Sequence, residues 1–285
     1  MFKKLIKIMK INSFESIYSN CIYTKSKVFT LLFVVFYLNI SISYSKSPYQ
    51  LTTSKELIIY GIGISNGIAA SIPDGELKEL TEDEINSLNK NNINVFDRFA
   101  ADNYSTDIAK VSDILVYTSL IYPAFYFIDD KMREDFTTIS VMYTQTLLFS
   151  ALVPSWGKGL TGRIRPFVYN PNAPIDEKFS SESRRSFFSG HTTVAFSTMV
   201  FLSKVYSDYY PDSKYVPYIW GSSLILATAV GISRIEAGAH YPTDVIVGAV
   251  VGSAIGYIIP EIHRIDNENM SLSIMPNSVS LVVKF

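Results

Sequence analysis

Five apolar stretches of helical length, at 108–128, 136–154, 191–206, 216–235 and 241–260, are separated by short polar segments. Each is long enough, or nearly so, to cross the roughly 30 Å of hydrocarbon in a bilayer. Several mix Thr, Ser, Tyr or Gly with their aliphatic residues, which suits helices packed on one another within a membrane. Gly248, Gly252 and Gly256 recur every fourth residue and mark the closest approach. A further stretch, 55–72, is apolar but rich in Gly and Ser. It reads as a weak span or as a helix lying on the protein or at the interface. Gly61, Gly63 and Gly67 do not have G-x-G-x-x-G spacing and follow no strand, so no dinucleotide site is read there.

The segment 73–107 is polar, and Thr81-x-x-Glu84 is a capping box that predicts a short surface helix to about Lys90. The tail Leu272–Phe285 alternates around Pro276-Asn277-Ser278 and predicts a short β-hairpin. The expected fold is all-α, a membrane-embedded bundle of five to six helices with that C-terminal hairpin. A soluble all-α bundle competes with it.

The N-terminus changes the picture. Lys3, Lys4, Lys7, Lys10, Lys25 and Lys27 precede an apolar run from Val28 to Leu38, and Ser43-Tyr44-Ser45 follows. Basic flank, apolar run and small residues form a signal-peptide pattern, with a retained signal anchor as the alternative. Either would deliver Lys46 across the membrane. The expected division is 1–45 signal or anchor, 46–107 an N-terminal helix and polar extramembrane segment, 108–262 the helical core, and 263–285 the hairpin tail.

Composition agrees with a membrane-associated chain: 48% of residues are hydrophobic and 18% charged, below the roughly 25% charged of soluble domains. A net charge of −1 argues against a nucleic-acid partner. Cys21 is the only cysteine, so an intrachain disulfide is impossible and a Cys/His zinc site has no ligand set. Histidine chemistry must draw on His191, His240 and His263.

Three polar blocks sit at helix ends. Lys158-Gly-Leu-Thr-Gly-Arg163-Ile-Arg165-Pro166 gathers cations in a Gly-bearing loop, where the Arg165 fork suits phosphate oxygens and Lys158 adds a point charge. Alone, such a loop is usually a topology signal. Ser189-Gly190-His191-Thr192 opens an apolar helix, and its N–H groups form an anion site beside His191. Alone, it is usually a cap beside a chance histidine. In Ser233-Arg234-Ile-Glu-Ala-Gly-Ala-His240-Tyr-Pro242-Thr-Asp244, Pro242 suits a helix start and Asp244 can reach back to His240. A carboxylate on one ring nitrogen would leave the other free as a nucleophile. Phosphoryl transfer needs little beyond cations, an in-line nucleophile and an acid.

Together the blocks resemble the signature of the type 2 phosphatidic acid phosphatase superfamily, K-x6-RP, PSGH and SR-x5-H-x3-D. Here they are Lys158-x6-Arg165-Pro166, Phe188-Ser189-Gly190-His191 and Ser233-Arg234-x5-His240-x3-Asp244. Spacing and order match over residues 108–260, and Phe188 replaces the family's proline. The resemblance implies that His240 is the nucleophile forming phosphohistidine, oriented by Asp244. It implies that His191 is the acid for the leaving oxygen and that Lys158, Arg165, Ser189, Gly190 and Arg234 hold phosphate. It implies no metal and no cofactor. Arg163, Arg184 and Arg185 lie outside the signature and read as solvated charge or as headgroup contacts; His263 reads as a surface residue.

The expected function is hydrolysis of a lipid phosphate or diphosphate at the inner membrane, with a non-spanning 55–72 placing the site toward the periplasm. A soluble periplasmic acid phosphatase is the alternative. Vanadium haloperoxidase and non-catalytic packing readings are weaker still.

Overall fold

The computed structural model describes residues 47–265 and the backbone of 270–275 and 278–283. The signal or anchor at 1–45 lies outside the described residues. The long helices are α1 (Thr53–Gly75), α2 (Thr106–Ile121), α3 (Phe136–Leu152), α4 (Pro154–Thr161), α5 (Gly190–Tyr209), α6 (Val216–Glu236) and α7 (Pro242–His263). Local chemistry sets their ends. The Ser105 hydroxyl accepts from the Ile108 N–H at 3.2 Å, and Pro154 and Pro242 occupy first turns. Gly238 stops α6 at φ +72, where any Cβ would strike the Asn103 carbonyl. Thr81 and Glu84 close the predicted capping box at the start of Glu82–Ser87.

The centre of the bundle is α5, with 13 of its 20 residues buried. It is less apolar than α1, α2, α3, α6 and α7, and Thr193, Thr198 and Ser203 lie on it. Their hydroxyls donate to the carbonyls of Ser189, Val194 and Met199 at 2.8, 2.9 and 3.0 Å, so burial leaves them satisfied. Along α5 lies α7, and a Cβ at Gly252 or Gly256 would overlap the carbonyl oxygen of Thr193 or Ser197. The glycine stripe brings two backbones into contact.

The stretch read as 55–72 is the 23-residue α1, about 34 Å long at 1.5 Å per residue. Gly63 and Gly67 seat it against Leu148 and Leu152 of α3. Among the described residues it is one of five helical segments long and apolar enough to cross a membrane, with Thr106–Ile128, Phe136–Thr161, Val216–Glu236 and Pro242–His263. Leu57, Ile68, Ile114, Ile225 and Val250 stay exposed on their outer faces. That apolar exterior replaces the soluble-bundle reading with a membrane protein.

The helices alternate in direction. At one end the Ser105 N–H meets the Ala237 carbonyl and Gly159 abuts Pro73 and Asp74. At the other end the Gln50 N–H donates to the His263 carbonyl at 2.8 Å and Tyr49 bridges Arg264. Met270–Met275 pairs antiparallel with Ser278–Val283.

His263 is not a surface residue. It is 1% exposed, donates from Nδ1 to the Ile259 carbonyl at 2.7 Å, and places Nε2 2.8 Å from Glu56 Oε2. Gln145 Nε2 donates to the same carboxylate oxygen at 2.6 Å. The three side chains clasp the start of α1 and the end of α7 to the middle of α3.

Candidate active site

All three blocks meet at one end of the bundle. Lys158 lies in α4, and Arg165 follows that helix in an extended conformation that leads into Pro166. Ser189 caps α5, its hydroxyl accepting from the Thr192 N–H at 3.3 Å, with Gly190 and His191 in the first turn. Arg234 ends α6, His240 lies in the link to α7, and Asp244 is in the first turn of α7. The Ser189 N–H donates to the Asp244 carbonyl at 3.1 Å, joining the second and third blocks directly.

The cations are held but incompletely used. Arg165 Nη2 donates to Glu182 at 2.8 Å, and Arg234 Nη1 donates to Ser112 Oγ at 2.9 Å. The Nε of each guanidinium is buried without a hydrogen-bond partner. Two buried donors left open beside a helix N-terminus suit an anion. The charge of Arg165 also acts on Lys158, His191, Arg234 and His240, so the candidate residues share one field.

His240 is 1% exposed, and its Nδ1 lies 2.7 Å from the Ser186 carbonyl. A carbonyl only accepts, so Nδ1 carries the proton and Nε2 keeps its lone pair. Burial is the largest influence on the ring and favours its neutral form. Asp244 opposes it, Arg165 and Arg234 reinforce it, and the pKa falls to about 3.

The expected bond from Asp244 to His240 is not made: Oδ2 stands 3.7 Å from Nδ1. That oxygen instead accepts from Ser186 Oγ at 2.6 Å and the Tyr241 N–H at 2.9 Å. Asp244 Oδ1 takes Arg163 Nη1 at 2.5 Å. Asp244 therefore fixes the loop whose carbonyl orients the ring.

Arg163 is accordingly not solvated charge. Its other arm reaches Asp97 Oδ2 at 2.7 Å, and its guanidinium stacks 4.1 Å from the Tyr241 ring centroid. Arg185 Nε binds Asp74 at 2.8 Å and Arg184 pairs with Glu84, so both tie the site loop to the segment before it.

Two residues beside the candidate set were not singled out from the sequence. Asp113 Oδ1 lies 2.9 Å from His191 Nε2 and 3.7 Å from Arg234 Nη1. A lone carboxylate inside the apolar stretch 108–128 was its signal, since such groups mark function by default. Ser186 contributes a backbone carbonyl, which no residue letter announces. Phe188, at the position where the resembled signature has proline, is buried against Gly157.

A sequence model described as the PAP2 superfamily matches residues 139–267, which contain all three blocks. The bacitracin transport permease protein BcrC of Bacillus licheniformis is 30% identical over 159 residues, covering 50% of this chain and 71% of that protein. This chain belongs to the PAP2 superfamily. A lipid A 4'-phosphatase of Porphyromonas gingivalis is 26% identical over 152 residues, covering 52% of this chain and 60% of that protein. The transmembrane PAP2-type phosphatidylglycerolphosphate phosphatase of Bacillus subtilis superposes with a TM-score of 0.42 at 20% identity, over 69% of this chain and 93% of that one. As a PAP2 protein, the chain is a phosphoric ester hydrolase.

Proposed function

We propose that this enzyme hydrolyses a lipid phosphate or diphosphate without a metal, through a phosphohistidine on His240. The observation that carries the reading is the Nδ1–H bond to the Ser186 carbonyl, which leaves Nε2 free beside two open guanidinium donors. Nε2 attacks phosphorus, the bond to the leaving oxygen breaks, and His191 gives that oxygen its proton. Water then attacks phosphorus, its proton passes to His191, the N–P bond breaks, and inorganic phosphate leaves. Lys158, Arg165, Arg234 and the N–H groups around Ser189 and Gly190 stabilise the equatorial oxygens in both steps. The apolar helix exteriors support a substrate whose tails lie in the bilayer, and a lipid A 4'-phosphatase among the relatives points the same way.

The test is phosphate release by detergent-purified protein, with EDTA present, from phosphatidic acid, phosphatidylglycerol phosphate, lipid A, undecaprenyl diphosphate and p-nitrophenyl phosphate. Release from a lipid, lost in His240→Ala, with an acid-labile and base-stable phosphoprotein in the wild type, is expected. Full activity of His240→Ala, or sensitivity to EDTA, refutes the mechanism.

We place the site toward the periplasm. Residues 47–50 and 264–265 lie at the end opposite the site. If α1, α2, α3, α5, α6 and α7 all cross, a periplasmic site requires cytoplasmic Ser47. Export of Lys46 by residues 1–45 is incompatible with that arrangement. In a Cys21→Ser background, a membrane-impermeant maleimide applied to spheroplasts should label Asn91→Cys and spare Asp212→Cys. The opposite pattern would turn the site inward.

A further inference from the structure

We propose that Val95, Phe96 and Phe99 insert into the bilayer at the active-site end and set the depth at which a lipid headgroup meets the pocket. The inference rests on the lipid-phosphatase reading above. The three side chains are 82%, 58% and 54% exposed, in a polar segment where nothing in the local packing uses them.

The segment that displays them is firmly held. Ile93, Ala100 and Ala101 are buried with Tyr241. Between them Asp97, fully buried, accepts from the Thr243 N–H at 3.0 Å, Thr243 Oγ1 at 2.6 Å, Arg163 Nη2 at 2.7 Å and Asn94 Nδ2 at 2.7 Å. Arg98 closes the turn on the Ile93 carbonyl at 3.0 Å. Apolar side chains on so well-anchored a turn are displayed, not left over from loose packing.

Their neighbour identifies what they meet. Thr243, Ile246 and Val250 share one stripe of α7 by their three- and four-residue spacing. Ile246 and Val250 are 51% and 65% exposed on a helix that can span the membrane, so the stripe faces lipid. Asp97 grips Thr243 at the top of that stripe, about 4.5 Å of helix rise above Ile246. The apolar turn thus continues the lipid-facing surface at its aqueous edge, the level where aromatic rings are favoured. Asp97 also reaches Asp244 through Arg163, so one carboxylate fixes both the turn and the loop of the nucleophile.

The deciding measurement uses full-length Cys21→Ser protein carrying Phe96→Cys labelled with an environment-sensitive fluorophore, reconstituted in phosphatidylcholine vesicles. Quenching by acyl-brominated phosphatidylcholine, with protection from aqueous iodide, is expected. Iodide quenching without bromolipid quenching overturns the inference. Protection from both quenchers also overturns it, because a protein surface then covers the turn. As a second readout, Val95→Ser, Phe96→Ser and Phe99→Ser combined should lower hydrolysis of a vesicle-embedded lipid phosphate at least tenfold. Hydrolysis of p-nitrophenyl phosphate in detergent should stay unchanged. Equal loss on both substrates removes the depth-setting role. Bromolipid quenching in a protein that hydrolyses only the soluble ester would instead leave insertion standing and end the lipid-substrate reading.

Discussion

The sharpest consequence of the site geometry is that Asp244 and Ser186 should not be equivalent, although they touch. Phosphorylation of His240 Nε2 while Nδ1 keeps its proton puts a positive charge on the ring, 3.7 Å from Asp244 Oδ2. At an effective dielectric of about 20, two unit charges at that separation interact by about 4 kcal/mol. Arg163, on the other carboxylate oxygen, screens part of this. We take about 3 kcal/mol as the share that stabilises the transition state, a factor of about 10² in rate. Asp244→Asn should therefore lower kcat by about 10² to 10³ while changing KM little, because the charge matters only once the ring becomes cationic. Ser186→Ala removes a hydroxyl that donates to Asp244 but keeps the carbonyl that holds Nδ1–H. Its expected loss in kcat is within about tenfold, with a stability cost of roughly 1.5–3 kcal/mol for a hydrogen bond to a charged group.

The assay is rapid-mix phosphate release from a lipid phosphate under single-turnover conditions, with the phosphoenzyme quenched in base and counted. Asp244→Asn should slow its appearance, and Ser186→Ala should not. If Ser186→Ala is as damaging as Asp244→Asn, the ring is positioned through the hydroxyl and the argument from the carbonyl fails. If Asp244→Asn retains full kcat, the electrostatic share assigned to it is wrong.

Three further outcomes follow from buried contacts. His263→Ala should destabilise the detergent-solubilised protein by about 1–3 kcal/mol, because buried Glu56 loses one donor and keeps only Gln145 and the Thr52 N–H; a change under about 0.5 kcal/mol in thermal unfolding would mean the residue behaves as surface. Gly252→Ala should lower Tm strongly, since its Cβ overlaps a carbonyl that cannot rotate away, whereas Gly221→Ala, with nothing within 4 Å, should be neutral or slightly stabilising. His240 titrates near 3 in the folded protein against about 6.5 unfolded, so the unfolded state binds the extra proton between those values. Stability should fall as pH drops through that window, by at most about 5 kcal/mol. His240→Gln should flatten this part of the pH–Tm curve, and an unchanged slope would locate the acid sensitivity elsewhere.

What could be read in the sequence and what could not divide along a physical line. The candidate residues were legible because phosphate chemistry demands particular side chains at fixed offsets from helix ends, and offsets are local. Glycines every fourth residue in α7 were legible for the same reason, since the spacing is that of one helix face. Pairings across the bundle were not. Glu56 and His263 are separated by 207 positions and Asp97 and Arg163 by 66, and no letter in either neighbourhood specifies the other. His263 therefore looked like surface and Arg163 like solvated charge. The role of α5 was hidden differently. Its length suggested one more lipid-facing span, yet its hydroxyls bond back to their own helix, which lets a modestly apolar segment occupy the centre.

The same distinction explains why the orienting group of His240 escaped notice. A carboxylate three or four residues from a histidine on a helix start suggests a direct bond, and Asp244 is so placed. The Arg163 guanidinium, a charged donor, holds one carboxylate oxygen, and the Tyr241 N–H and Ser186 hydroxyl occupy the other. Asp244 is consumed in closing the loop, and the loop supplies the carbonyl. A chain of contacts then runs from Asp97 through Arg163, Asp244 and Ser186 to His240. Its first member carries the exposed apolar turn and its last the free ring nitrogen. Substitution of Asp97, Arg163 or Asp244 should alter the alignment of the nucleophile before it alters the affinity for phosphate, because the phosphate-binding guanidinium groups of Arg165 and Arg234 donate elsewhere, to Glu182 and Ser112.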